Sequence, residues 1–286
     1  MRIGRTTRWE ITRALRSKQY LVMTLLIPAL AAAGIVAATA GEARAALREP
    51  PPPYLIGVIL AMILFIGAFM SGVMVLYSVV KEKQNRVVEI ILSSVSATEM
   101  MVGKVLGQGA AGLLQVSFWV ACAYAIASRF APVSLAELEL VHWVTYPLYF
   151  TLGYLFIASL YAAVGAAMKD IQSGGASGLV GLVPYAPILF AQIIITQPES
   201  LLVRLAGFFP PFVPSVMMFR IGAVPLVSNG LRQVPAWEIA LSFASLLLGV
   251  VAMMRFAARI FETGLLMYGK SPSVRELWRW GLRRRR

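Results

Sequence analysis

The chain has 286 residues, of which 59% are apolar and only 14% are charged, and its net charge is +13. Together with a mean hydropathy of +0.75, this composition excludes an ordinary soluble globular domain. The excess of Lys and Arg does not indicate nucleic-acid binding either, because its distribution along the chain follows the positive-inside pattern of membrane proteins.

Six stretches are long and apolar enough to cross about 30 Å of hydrocarbon. They cover residues 20–40, 54–80, 105–128, 144–168, 176–197 and 237–256. The first stretch is too long, and its polar lead-in too extended, for a cleaved signal peptide. The sequence therefore predicts an all-α membrane protein in which residues 1–286 form one transmembrane domain with six helices. The basic residues predict a multi-pass protein of a bacterial or archaeal plasma (inner) membrane, with both termini in the cytoplasm.

Residues 1–19 form a basic segment before the first predicted span. Thr7 and Glu10 have the spacing of a capping box, which predicts that a short helix begins there. Trp9 and Leu15 alternate with arginines, so this cytoplasmic amphipathic helix is expected to lie along the inner headgroups. A simple positive topology anchor is the alternative.

Residues 81–104 join the second and third spans on the predicted cytoplasmic side. The loop contains apolar residues at helical spacing on one face, which predicts a short amphipathic helix. These residues are Val87, Val88, Ile91, Leu92 and Val95. Ser96 and Glu99 form a second capping box, which predicts the start of the next helix. The pattern leaves open whether the loop binds a partner or is a connector on the membrane surface.

Residues 198–236 are predicted to be outside the membrane yet are strongly apolar. Three prolines prevent one continuous helix, so an outer re-entrant or capping segment is expected. Its candidate outer-gate residues are Phe209, Pro210, Pro211, Phe212 and Met217. On the opposite, cytoplasmic side of the membrane, residues 257–286 are predicted to form a basic tail.

No pattern in the sequence indicates a catalytic or metal site. Residues 264–271 match G-x-x-x-x-G-K-[ST], but a membrane helix precedes them where a phosphate-binding loop follows a buried strand, so we interpret the match as accidental. Cys122 and His142 are each the only residue of their type. The central parts of the spans contain no ionisable residue, which argues against an internal ion-coupling site. Energy for any uphill transport is therefore expected from a partner.

The loop Lys81–Ser96, continuing through Glu99 and Gly103-Lys104, resembles the first cytoplasmic loop of ABC-2 type transporter permeases. Two further regions support the resemblance, which covers nearly the whole chain: Phe209–Pro214 with Met217, Met218 and Arg220, and Arg259–Lys270. The chain is most similar to the NatB-like sodium-efflux branch. It lacks the large extracellular insertion of that branch, and only Gly41–Pro53 stand in its place.

The resemblance implies an ABC-2, type V exporter-like fold in which the loop forms a coupling helix and docks on a separate ABC ATP-binding subunit. ATP and Mg would be bound by that subunit, and this chain would hold no cofactor or metal. The docking residues that the resemblance implies are Glu82, Arg86, Glu89, Ser93 and Ser94, with a smaller second contact at Lys169 and Asp170.

The hypothesis that follows is an exporter in which two permease subunits enclose an apolar pathway. The second subunit would be another copy of the chain or a homologous permease. The candidate pathway residues are Phe65, Phe69, Tyr77, Tyr185 and Gln192, and a packing or lipid-facing role fits each of them equally well. The alternative is a non-transporting membrane scaffold that binds another cytoplasmic protein. A membrane-embedded lipid-modifying enzyme would need polar catalytic groups that the spans lack.

Overall fold

The structure, a computed structural model, describes residues 2–39, 53–84, 96–130, 140–168, 182–228 and 233–265. Within these ranges every regular element is a helix, which confirms the predicted all-α class for the described part. The helices are α1 Arg2–Leu15, α2 Lys18–Thr39, α3 Pro53–Gln84, α4 Ala97–Phe130, α5 Leu140–Ala167, α6 Ala186–Leu189, α7 Ala191–Thr196, α8 Leu201–Ala206, α9 Val213–Val227 and α10 Ala236–Leu265.

Three of these helices contain stretches long and apolar enough to cross a membrane: Thr98–Ile126, Leu140–Ala167 and Ala236–Thr263. Shorter apolar stretches occur at Lys18–Leu30 and Val213–Val224. The described residues therefore confirm apolar membrane helices but not the predicted number of six.

The predicted fifth span is wrong as one continuous helix over its described part. From Leu182 onward the chain forms a 3₁₀ turn, then α6 and α7, which are only four and six residues long. Pro184 and Pro187 lack the backbone N–H that a continuing helix needs, and the backbone leaves helical geometry at Phe190. The segment is therefore a set of short helical turns that pack against α9.

Helix α5 lies at the centre of the bundle, where it contacts α3, α4, α9 and α10. Most of its side chains are buried, and two of its tyrosines bond to different neighbours. Tyr146 donates a hydrogen bond to the carbonyl oxygen of Met218 in α9, at 3.2 Å. The hydroxyls of Tyr149 and Ser242 in α10 are 2.6 Å apart. Because these polar groups are paired within the bundle, α5 joins the surrounding helices without exposing unpaired hydroxyls to lipid.

Glycines let α1 approach α4 closely, because small residues allow the backbones of neighbouring helices to come near each other. A Cβ atom on Gly103 would lie 2.7 Å from the Thr6 Cβ, and one on Gly107 would lie 2.5 Å from the Glu10 Cβ. Neither position has room for a side chain. The close packing of these two glycines is therefore within the chain.

The two predicted capping boxes have different outcomes. Helix α1 begins at Arg2, so Thr7 lies inside it, where its hydroxyl donates to the carbonyl of Ile3 at 2.9 Å. The first capping box is therefore wrong. The second is confirmed, since the Ser96 amide donates to Glu99 Oε2 at 3.0 Å and the Glu99 amide donates to Ser96 Oγ at 3.2 Å.

Candidate docking face and buried charge clusters

Most of the predicted docking residues lie outside the described residues. Arg86, Glu89, Ser93 and Ser94 belong to residues 85–95, and Lys169 and Asp170 belong to residues 169–181. Their docking roles remain predictions. The helix ends that precede these two segments, at Gln84 and Met168, are described, and they define a candidate docking face.

Lys83 brings these two helix ends together. Its Nζ donates to the carbonyl oxygens of Ala166 at 3.1 Å and Met168 at 3.2 Å, both at the C-terminus of α5. Carbonyls at this end of a helix have no helical partner, and the helix dipole favours a cation there. Burial lowers the pKa of Lys83. The two predicted docking segments thus begin within the reach of one lysine side chain.

A group of charged and polar side chains, most of them buried, lies beside this face; we call it the proximal cluster. It consists of Glu10, Arg13, Ser78, Glu82, Lys104 and Gln108. Lys104 is at its centre, with Nζ 2.8 Å from Glu10 Oε1, from Glu82 Oε1 and from Ser78 Oγ. No part of the Lys104 side chain is exposed, and only 2% of Glu10 is. The cluster therefore links α1, α3 and α4.

Two further contacts complete the charge balance of the proximal cluster. Arg13 Nη1 lies 2.9 Å from Glu82 Oε1, and Gln108 Nε2 donates to Glu10 Oε2 at 3.3 Å. Two cations thus face two carboxylates, as buried charges require. Glu82 is one of the predicted docking residues, but only 8% of its side chain is exposed and one carboxylate oxygen is committed to Lys104 and Arg13. Its position gives it a structural contact inside the chain.

A second group, the distal cluster, has Arg220 and Glu238 buried at its centre and the more exposed Glu199 and Arg204 beside them. Arg220 is fully buried, with Nη1 2.8 Å from Glu238 Oε2, Nη2 3.2 Å from Glu199 Oε1, and Nε donating to the Pro198 carbonyl at 2.8 Å. Arg204 also bonds to Glu238. The cluster connects the segment just before α8, helix α8 itself and helix α9 to the start of α10.

Sequence reasoning missed both clusters as clusters. Lys104 and Glu10 are 94 positions apart, and Arg220 and Glu238 are 18 apart on different helices, so no local periodicity relates them. The feature of the sequence that could have indicated the clusters is the presence of these charges, because an ionisable residue next to a long apolar stretch needs a partner.

The structure separates the candidate pathway residues into two groups. The Phe69 ring packs edge-on against Tyr161 at 6.2 Å and against Tyr185 at 5.5 Å between ring centroids. Tyr77 and Gln192 are exposed instead. Phe65 lies in α3, and its side chain is outside the described part. Phe69 and Tyr185 therefore meet in the bundle interior, apart from the exposed pair.

The candidate outer-gate residues lie in the turn between α8 and α9 and in α9 itself. Phe209 is half exposed, and its ring centroid is 5.0 Å from that of Phe212. Pro210 packs against α10, where a Cβ on Gly249 would lie 2.6 Å from the Pro210 Cβ. Met217 is fully buried, with its sulfur 3.7 Å from Arg220 Nη1. Pro211 is partly exposed beside them.

The interior between α3, α5 and α9 is almost filled. A cavity there has a volume of about 10 Å³, enough for a single water molecule. Ala68, Tyr154 and Met218 are among its lining residues. This cavity is far too small for a transported molecule.

The chain was compared with known proteins. The family described as ABC-2 family transporter protein matches residues 47–259. An uncharacterized protein of Methanocaldococcus jannaschii is 29% identical over 211 residues, which are 73% of this chain and 49% of the relative. The uncharacterized protein YhaP of Bacillus subtilis is 24% identical over 230 residues, which are 77% of this chain and 53% of YhaP. The match thus spans about half the length of these relatives. Because the family match covers well over half of the chain, the protein belongs to the ABC-2 transporter family.

Proposed function

We propose that this protein is the membrane subunit of an ATP-driven exporter, and that a separate ATP-binding subunit docks at the helix ends that precede residues 85–95 and 169–181. Family membership supports the general role. The observation that carries the docking proposal is the pair of bonds from Lys83 to the end of α5. One partner can reach both segments at once because this lysine holds their starting points together.

The proximal cluster gives this docking face a connection to the rest of the bundle. Glu82 lies only three positions before residue 85, in described helix α3, and it bonds to Lys104 in α4 and Arg13 in α1. A partner that displaces the end of α3 would therefore also move α1 and α4, since breaking buried ion pairs costs about 3–5 kcal/mol. In this proposal Glu82 positions the loop, while Arg86, Glu89, Ser93 and Ser94 provide the contact surface.

The transport pathway would lie outside the core of one subunit. The cavity between α3, α5 and α9 has room for only one water molecule, and Phe69 and Tyr185 pack against each other within the bundle. A pathway enclosed by two permease subunits, either two copies or this chain with a homologous permease, fits this filled interior better than a channel through one. Cytoplasmic termini, a plasma-membrane location and the NatB-like branch belong to the same proposal.

Affinity purification of the tagged permease from its native membrane, followed by mass spectrometry, tests the docking. We expect recovery of a P-loop ATPase with the wild type and loss of it with Glu89→Arg. Lys83→Met should reduce recovery several-fold by releasing the end of α5. Lys81→Met is the matched control, because this lysine in the same helical turn is exposed and makes no ion pair among the described residues.

Recovery of no ATPase with folded wild-type permease would contradict the proposal and favour the membrane scaffold. Equal losses with Lys83→Met and Lys81→Met would show that charge alone, and not the joined helix ends, supports the docking.

A further inference from the structure

Gln115 is a buried polar residue that the proposed docking and pathway do not use. It lies near the middle of α4, and only 1% of it is exposed. Neither its amide nitrogen nor its amide oxygen has a hydrogen-bond partner among the described residues. An unpaired buried amide is costly, and in a membrane helix a polar side chain usually bonds across to a neighbouring helix. A function for Gln115 must therefore explain why this cost is retained.

Two polar bonds on the same face of α4 bracket Gln115. One turn before it, the carbonyl oxygen of Ala111 accepts a hydrogen bond from the Tyr20 hydroxyl of α2 at 2.8 Å. One turn after it, Trp119 Nε1 donates to the carbonyl oxygen of Thr24 in α2 at 3.0 Å. We call this contact between α2 and α4 the polar seam. Gln115 lies in the middle of the seam, without a bond of its own.

Pro28 explains why the Thr24 carbonyl accepts a bond from another helix. Pro28 lies inside α2 and has no N–H, so the carbonyl four residues before it loses its helical donor. Without another donor this carbonyl would be an unsatisfied acceptor inside an apolar bundle, so a side chain of α4 has to satisfy it. Trp119 does so in the present arrangement.

We propose that the polar seam has two bonding arrangements and that Gln115 forms the second. Its amide N–H would donate to the Thr24 carbonyl in place of Trp119, and its amide oxygen would accept from the Tyr20 hydroxyl in place of Ala111. One side chain would replace both present bonds, so the number of bonds across the seam is conserved. Two arrangements with the same number of bonds across the seam can have similar free energies, as two interconverting states require. Gln115 is thus a positioning residue, and its use in transport rests on the proposed function.

The joint between α1 and α2 allows such an exchange. Helix α1 is fixed to α4 by the Glu10–Lys104 pair and by its close contact with Gly107. Helix α2 starts after a turn at Arg16 and Ser17, and Ser17 Oγ caps it by accepting from the Tyr20 amide at 3.1 Å. α2 can therefore tilt about this joint against α4 while α1 stays bound.

Fluorine NMR of the permease in lipid nanodiscs tests the proposal. The chain has six tryptophans, so 5-fluorotryptophan labelling gives few signals, and Trp119→Phe assigns the one of interest. We expect two Trp119 signals in the wild type, with and without the bond to Thr24. Gln115→Leu should lose the second signal, whereas Gln197→Leu, which removes an exposed amide outside the seam, should retain both.

Thermal unfolding supplies an independent readout. Gln115→Leu should keep or raise the Tm, because it removes an unpaired amide; a clearly lower Tm would mean that Gln115 is already bonded, for example to a buried water, and would overturn the proposal. A single Trp119 signal in the wild type, or two signals that persist in Gln115→Leu, would also overturn it. These spectra need only the purified membrane protein. Failure to recover an ATPase would therefore reject the proposed function but would not show whether the polar seam has two bonding arrangements.

Discussion

Removing the charge of Lys104 is the most direct test of the proximal cluster. Lys104→Met keeps the length of the side chain but leaves Glu10 and Glu82 without their shared cation. Glu82 retains Arg13, which is 42% exposed, whereas Glu10 retains only the neutral amide of Gln108. One buried carboxylate thus becomes uncompensated.

The expected loss of unfolding free energy is about 3–4 kcal/mol, at the lower end of the range for breaking a buried ion pair, because Arg13 still neutralises half of the cluster. For a chain of this size we expect the Tm to fall by about 10 °C. The assay is thermal unfolding of the purified permease in one detergent at one scan rate. Lys81→Met, which removes an exposed lysine, should change stability by less than about 0.5 kcal/mol.

The double variant Lys104→Met/Glu10→Gln separates charge from packing. It removes the uncompensated carboxylate together with the cation and leaves the Arg13–Glu82 pair, so it should be more stable than Lys104→Met alone. If the double variant is less stable than the single one, the cluster acts through shape and not through charge balance, and the reasoning is refuted.

Three further substitutions test contacts elsewhere in the bundle by the same unfolding assay. Arg220→Lys should cost about 2–3 kcal/mol, because one ammonium cannot replace a guanidinium that bonds to three groups; an unchanged Tm would contradict this. Gly107→Ala should cost about 1–3 kcal/mol by pushing α1 away from α4, while Gly4→Ala, which has open space around it, should not destabilise. Tyr149→Phe should cost about 1 kcal/mol by removing the bond to Ser242, and a variant as stable as the wild type would show that bond to be unimportant.

Local sequence signals predicted one helix start correctly. Ser96 and Glu99 marked the start of α4 because both capping bonds form between residues three apart. The start of α1 was wrong, because the Thr7 and Glu10 pattern is local whereas Glu10 is used in a bond to Lys104 in another helix. The fifth span was wrong as one continuous helix over its described part, because apolar composition alone does not show that Pro184 and Pro187 interrupt the backbone.

The sequence by itself determined that this protein is a membrane protein of the ABC-2 family with long apolar helices, because apolar stretch length, charge distribution and family motifs are properties of the linear chain. The tertiary structure alone decided which charges meet. Lys104 with Glu10 and Glu82, and Arg220 with Glu238, are paired across helices, and the same packing leaves Gln115 buried and unpaired. Partner choice depends on how helices approach each other, and that approach is set by packing over the whole bundle.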